Sequence, residues 1–305
     1  MANSLIALFA TILPAPMQNE VTSVRASDIH MRDPWIMAHD GTYYLVGTTG
    51  EPWGKSGGGF AGYSSTDLID WTPHGGVLAE PADPTWARYQ FWAPELYEKD
   101  GKFTLCYSGN TDDTHRGTGV AASDDPLGPF VNLGAEPLTP LEWECLDGHI
   151  CRDADGVEWF IFVHEWVQAP VGEMWAQRIS ADYSELIGEK TLLFKGRDAT
   201  WSNNVIDGPM VVIEGGKYYC FWSSFNDRDG YCAGYAVADS ITGPYTHSAE
   251  PVIAADGGHN CIFTGFDGKR YTSFHRTNKS PNERVMIYEL LFEDGDWKLG
   301  AKVGE

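Results

Sequence analysis

The chain has 305 residues, 43% of them apolar, with 21 basic against 43 acidic side chains and a formal charge of −22. So acidic a balance argues against nucleic acid and anionic membrane surfaces as partners, since both would repel it, and it suits neutral or cationic small ligands. The length allows one large β domain or two ordinary ones, and no apolar stretch reaches the roughly 20 residues of a membrane-spanning helix.

At the N-terminus, Ser4–Leu13 resembles the apolar part of a secretory signal peptide, but no Lys or Arg precedes it. A packed first strand explains it equally well, so the compartment stays open. From there the chain repeats one phrase five times. RDPWIMAHDGTYYLVGTT is followed by FAGYSSTDLIDWTPHG, and WAPELYEKDGKFTLCYSG by TGVAASDDPLGPFVNLG. LDGHICRDADGVEWFIFVHEW leads into MWAQRISADYSELIGE, and IDGPMVVIEGGKYYCFWSS into GYCAGYAVADSITGPYT. The last unit is GGHNCIFTGFDGKRYTSFHRT, closing with RVMIYELLFEDGDWKL.

Each unit reads as four strands, the first two joined by a DG or GG pair, a strong hairpin signal because type I′ turns need φ > 0. Anchors at Asp33, Ala93, Asp147, Asp207 and His259 are 60, 54, 60 and 52 residues apart. Four strands per unit at that period, with almost no helical periodicity, predict an all-β, five-bladed β-propeller of four-stranded antiparallel blades around a central channel. Five blades leave no room for a second domain, and residues 1–27 are a lead-in or a ring-closing strand. The six cysteines are scattered without a CxxC pair, and most are expected as buried thiols.

In a propeller the first strand of every blade lines the channel. Asp33, Asp147 and Asp207 are therefore expected at equivalent places in blades one, three and four, three carboxylates meeting around one pocket. The alternative, that they cap hairpins at the rim, requires three coincidences.

The phrases RDPWI, FWAPEL, LDGHICRDADG, DGPMVV and GGHNCIF resemble the blade motifs of glycoside hydrolase family 43, from about Asp28 to the end of the chain. The resemblance implies hydrolysis, usually inverting, of arabinofuranosides or xylosides, with some members acting on galactosides. It implies Asp33 as the general base that activates water, and Asp147 as the carboxylate that holds the acid and raises its pKa. Asp207 falls where the family has a glutamate general acid in a Glu-Gly-Pro phrase; here the phrase is Asp-Gly-Pro. His259 matches the family's channel histidine, which often reaches a calcium or sodium ion; no organic cofactor is expected. An inverting glycosidase needs one ionised and one protonated carboxylate about 6.5–9.5 Å apart, and a third charge nearby keeps the acid protonated. An aspartate withdraws the carboxyl by roughly 1.5 Å relative to glutamate, so another donor is also considered.

That donor is Glu165, in WFIFVHEW at the end of the second strand of blade three, where His164, Glu165 or Trp166 should face the pocket. Glu165 is either an acid raised by apolar neighbours or a rim glutamate bonded to Arg178 or backbone. Trp92 either stacks on a sugar or belongs to the core. His275 and Arg276 end the inner hairpin of blade five, a place suited to hydroxyl binding, and Trp222 with Ser223 and Ser224 holds the same place in blade four. His259 is either a cation ligand or a neutral histidine bonded across the channel. Loops 51–60 and 81–90 are long enough to wall the pocket.

The function expected is an exo-acting hydrolase of α-L-arabinofuranosyl or related residues on oligosaccharide or polysaccharide side chains. The rivals are a β-xylosidase or galactofuranosidase of the same fold, or a carbohydrate-binding propeller without catalysis.

Overall fold

A computed structural model describes residues 22–55, 58–78 and 86–304. The strands form five antiparallel sheets in chain order, each built from consecutive strands. This is the five-bladed propeller that the repeats predict. From the channel outward, blade one is Arg32–His39, Thr42–Gly50, Gly58–Ser65 and Asp70–Gly76. Blade two is Tyr89–Lys99, Lys102–Asn110, Gly117–Ser123 and Val131–Asn132; blade three is Cys145–Arg152, Glu158–His164, Glu173–Ile179 and Leu186–Lys195. Blade four is Asp207–Glu214, Lys217–Asn226, Gly230–Ala238 and Thr246–His247; blade five is Gly257–Thr264, Arg270–Arg276, Arg284–Glu293 and Asp296–Lys302. Val24–Arg25 adds a fifth strand to the outer edge of blade one, pairing with Asp70 and Trp71, and the Arg25 guanidinium donates to Gly304 O, just past the last strand of blade five, at 3.3 Å. Residues 1–21 of the expected lead-in lie outside the described residues.

The inner hairpins of blades one, two and four turn as the sequence predicts; in blades three and five only Gly156 and Gly268 take positive φ, in longer turns. Asp40-Gly41, Asp100-Gly101, Gly215-Gly216 and Asp294-Gly295 all take positive φ at both positions, as type I′ hairpins require. Buried aromatic and branched side chains pack between neighbouring blades, for example Ile161, Val163, Met174 and Trp222 between blades three and four. All six cysteines are free thiols, five of them buried.

One feature of the inner strands builds the site. Every blade interrupts its first ladder with a β-bulge at the same place, between Arg32 and Trp35, Trp92 and Glu95, Leu146 and His149, Asp207 and Met210, and Gly258 and Cys261. The first bulge residue is left-handed in all five: Asp33 (φ 50°), Ala93 (48°), Asp147 (53°), Gly208 (57°) and His259 (54°). Four of these carry a Cβ in a region that costs roughly 1–2 kcal/mol per residue, and such bulges re-aim side chains beside active sites. Asp207 is thus not equivalent to Asp33 and Asp147, contrary to expectation. It sits one residue earlier, in the row of Arg32, Trp92, Leu146 and Gly258. Gly208 takes the left-handed slot in blade four, where an added Cβ would meet the His259 ring at 3.1 Å.

The bulges also join the blades. The amide of Ala93 donates to Thr48 Oγ1, that of Asp147 to Ser108 Oγ and that of His259 to Ser223 Oγ, each at 2.8 Å. Asp33 N donates to His275 Nδ1 at 3.2 Å and closes the ring. In every case the acceptor is the second-strand residue paired with the preceding blade's pre-bulge position. At the third seam that position is Val163, which has no acceptor, and the Gly208 amide turns to Asp147 Oδ2 at 2.9 Å.

Candidate active site

The two rows of bulge residues converge on one cavity of about 480 Å³, within the range of about 300–1,000 Å³ that holds small organic ligands. Asp33, Ala93, Asp147 and His259 line it from the left-handed row, and Arg32, Trp92, Leu146 and Asp207 from the row before. Both rows reach the same space because the bulge breaks the strict alternation that would otherwise send adjacent side chains to opposite faces. The three carboxylates therefore do meet, by two geometries.

Their electrostatics differ. Burial opposes ionisation of Asp33, but His259, His275, Arg32 and the Thr48 hydroxyl together outweigh it and hold the pKa below the ordinary value. Thr48 Oγ1 donates to Asp33 Oδ2 at 2.8 Å, and His259 Nδ1 faces Oδ1 at 3.3 Å. Behind Asp33, burial pushes His275 down to about 4. Its ring is neutral above that, so Nδ1 accepts the Asp33 amide while Nε2 donates to Asn278 Oδ1 at 3.1 Å.

Asp147 and Asp207 behave oppositely. Burial, with the neighbouring Asp207 adding to it and His259 opposing, pushes Asp147 up to about 8. Burial likewise pushes Asp207 up to about 7, with Asp33 adding to it and a hydrogen bond from Tyr231 opposing. Tyr231 Oη donates to Asp207 Oδ1 at 2.6 Å, its ring stacked on His275 at 5.3 Å. Two like charges this close do not both ionise readily, so the pair shares a proton near neutrality. One ionised carboxylate faces a protonated pair.

Glu165 lines the cavity as expected, 2% exposed. Burial raises its pKa, but Arg116 opposes that shift and donates directly to Glu165 Oε1. The anticipated partner Arg178 is not involved. Arg116 also donates to Gln90 Oε1 at 2.8 Å and lies 4.0 Å from the centre of the Trp92 ring. Trp92 lines the cavity and donates its indole N–H to Pro52 O at 2.5 Å.

Four other expected residues lie away from the cavity. Trp222 is fully buried between blades three and four against Trp201, with ring centroids at 4.5 Å. Its neighbour Ser223 faces the bulge, and alternation sends Trp222 to the other face. The same parity turns His164 outward from Glu165, where its ring stacks on Trp143 at 4.2 Å and approaches Glu173 at 3.2 Å. Arg276 donates to Ala254 O at 2.6 Å. His275 acts one layer behind the wall, on Asp33. Of the two wall loops, Pro52 and Trp53 line the cavity; residues 56–57 and 81–85 lie outside the described residues.

Sequence reading missed Arg32, Arg116, Thr48, Trp53 and Tyr231. Arg32 was recoverable: Pro34, Pro94 and Pro209 align the phrases RDP, WAP and DGP and set Arg32 level with Asp207. The loop around Arg116 carries no such signal.

A cation site is also compatible with these residues. Donor atoms of Asp147, Asp207 and His259 lie within 4.8 Å of one another. One step further along the channel, Asp33, Glu95, His259 and Asn260 help to enclose about 10 Å³, about the space of one water or ion. The Asn260 amide is buried with both polar atoms unpaired. Val211 N donates to His149 Nε2 at 3.1 Å, so the His149 proton is on Nδ1 and goes to Glu95 Oε2 at 3.0 Å. A carboxylate, an orphan amide oxygen and an imidazole suit a hard cation completed by water.

The family model for glycosyl hydrolases family 43 matches residues 27–298. The chain is similar to a β-D-galactofuranosidase of Aspergillus niger, 27% identical over 76% of this chain and 71% of that protein. It is also similar to the extracellular exo-α-(1→5)-L-arabinofuranosidase ArbA of Cellvibrio japonicus, 24% identical over 89% of this chain and 86% of that one. Among solved structures, an endo-arabinase from Bacteroides thetaiotaomicron superposes with a TM-score of 0.83 and 32% identity, over 91% of this chain and all (100%) of that one.

Proposed function

The chain belongs to glycosyl hydrolase family 43 and is a glycoside hydrolase; from that premise we propose that it is an inverting, exo-acting furanosidase that removes α-L-arabinofuranosyl residues from oligosaccharides or polysaccharide side chains. The observation that carries the chemistry is the difference in electrostatics among three carboxylates at one cavity. Asp33, kept ionised, takes a proton from the attacking water. The Asp147–Asp207 pair, sharing a proton near neutrality, donates to the departing glycosidic oxygen. Within that pair Asp207, at the place of the general acid in the Asp-Gly-Pro phrase, is the donor and Asp147 the tuning residue. Glu165, matched by the Arg116 charge, binds sugar hydroxyls together with Trp92. The named activities of the similar A. niger and C. japonicus proteins, a galactofuranosidase and an arabinofuranosidase, support a furanose in the pocket.

Turnover of 4-nitrophenyl α-L-arabinofuranoside, β-D-galactofuranoside and β-D-xylopyranoside tests the reading. A preference for the first, with inversion seen by NMR of the first-formed anomer, is expected. Preference for the xyloside overturns the choice of sugar, and no turnover at all, with sugar still bound, leaves a binding propeller.

A calcium ion, where present, would be held by His259 with Glu95 and Asn260 through water. It would add positive charge that favours the ionised form of Asp33. Exhaustive EDTA treatment should then lower the melting temperature, and calcium should restore it through linkage; an unchanged melting temperature would make His259 a channel histidine bonded across to Asp33 and Asp147.

A further inference from the structure

Large apolar side chains exposed at a cavity mouth need a reason, and two stand here. Trp53 is 57% exposed and Val167 is 65% exposed, and both line the active-site cavity. Trp53 comes from the loop after the second strand of blade one, Val167 from the turn after Glu165.

Neither is loosely held. The loop carrying Trp53 is fastened to blade two by three contacts. Trp92 Nε1 donates to Pro52 O at 2.5 Å, Gln90 Nε2 donates to Trp53 O at 3.4 Å, and Lys55 pairs with Asp112. The indole rests edge-on against Trp92 with centroids 5.2 Å apart at 65°, and the Arg32 guanidinium lies 5.2 Å from its centre. Val167 sits in a turn closed by the amides of Gln168 and Ala169 on Glu165 O, at 3.1 and 2.9 Å. Fixing an indole in place while leaving its surface in water forgoes burial energy. A ligand that covers it recovers that energy, and a sugar presents C–H groups that pack on an aromatic surface while its hydroxyls stay wet.

We propose that Trp53 and Val167 form the walls of a leaving-group subsite, which holds the sugar next to the scissile bond on the side away from the glycone. The ligand is a neutral oligosaccharide of at least two units, in keeping with the absence of an unpaired cation among the described residues that line the mouth. The proposal rests on the glycosidase reading. It makes Trp53 a determinant of the linkage accepted, since a sugar wedged between two fixed walls presents its glycosidic oxygen to Asp207 in one orientation.

The test uses calorimetric binding to the Asp33→Asn protein, which retains ligand without turning it over. The probes are α-1,5-arabinobiose, xylobiose, arabinose and xylose. Adding Trp53→Ala should weaken the better disaccharide about tenfold, the size of a lost aromatic contact, and leave monosaccharide affinity within twofold. Trp53→Phe should restore most of the loss, which a merely structural defect would not allow. Equal weakening of mono- and disaccharide would place Trp53 against the glycone, and undiminished disaccharide binding would leave it without a subsite; either overturns the proposal. If no sugar binds and the wild type turns over no glycoside, the glycosidase reading has failed as well; wild-type turnover with unaffected kinetics in Trp53→Ala rejects the subsite alone.

Discussion

Asp33→Asn should lower kcat by at least ~100-fold at every pH, because the amide keeps the shape of the carboxylate and loses the basic lone pair that deprotonates water. The fold should survive. Thr48 can still bond the amide oxygen, and the Asp33 backbone amide still meets His275. Circular dichroism and a melting temperature close to wild type would establish that the loss is chemical. Retention of more than about a tenth of wild-type kcat would remove Asp33 from the role of general base. Azide offers a complementary check: an external anion that attacks the anomeric centre needs no base and should recover part of the rate.

The second large effect separates the two candidate acids. Asp207→Asn should lose ~100-fold or more on natural linkages, whose departing oxygen needs a proton, and far less on activated aryl glycosides. Glu165→Gln should fall about equally on both substrate types and mainly in KM, as loss of a hydroxyl contact does. The reverse pattern would transfer the acid role to Glu165. In the wild type, activity should decline as pH rises through about 7–8, where the Asp147–Asp207 pair loses its shared proton; in Asp207→Asn that alkaline limb should vanish from the aryl-glycoside profile. Stability supplies an independent reading. The folded pKa of Asp207 is raised from 3.8 to about 7, so its neutral form favours the fold fully below the unfolded value, and that advantage is lost as pH climbs through about 7. An asparagine carries no such charge, and the variant should therefore melt higher than wild type at pH 8.5.

The repeat was legible because hairpin turns and alternating strands are local, and five copies of a local pattern leave little choice of architecture. The bulge is less legible. Choosing the aspartates as anchors displaced blade four by one residue, whereas Pro34, Pro94 and Pro209 mark the register correctly. That slip has physical consequences. Parity counted from the bulge decides which second-strand residues face the channel, and it sends Trp222 and His164 away while bringing Ser223 in. Arg116 and Tyr231 reach the cavity from a loop and from the start of a third strand, by contacts across blades and between strands. Their sequence neighbourhoods carry no period to read. Glu165 was found because a charge ended a wholly apolar run, although its partner was a residue 49 positions away.

The seam between blades three and four has a mechanical meaning. Elsewhere the clasp between neighbours is a hydroxyl or a neutral imidazole that holds its amide at any ordinary pH. At Val163 the clasp is missing, and the ring is fastened there by a group that titrates. An ionised carboxylate grips an amide about twice as strongly as a neutral acceptor, so this joint stiffens as Asp147 loses its proton near pH 8 and slackens below. The propeller therefore has one compliant joint, beside the residue that delivers the proton. Deuterium exchange should reveal it: corrected for intrinsic rate, protection of the Gly208 amide should rise through that pH range while the amides of Ala93 and His259 stay level. Val163→Thr, by supplying the absent hydroxyl, should flatten the response. A Gly208 amide indifferent to pH in the wild type would mean that the joint is as rigid as its four counterparts.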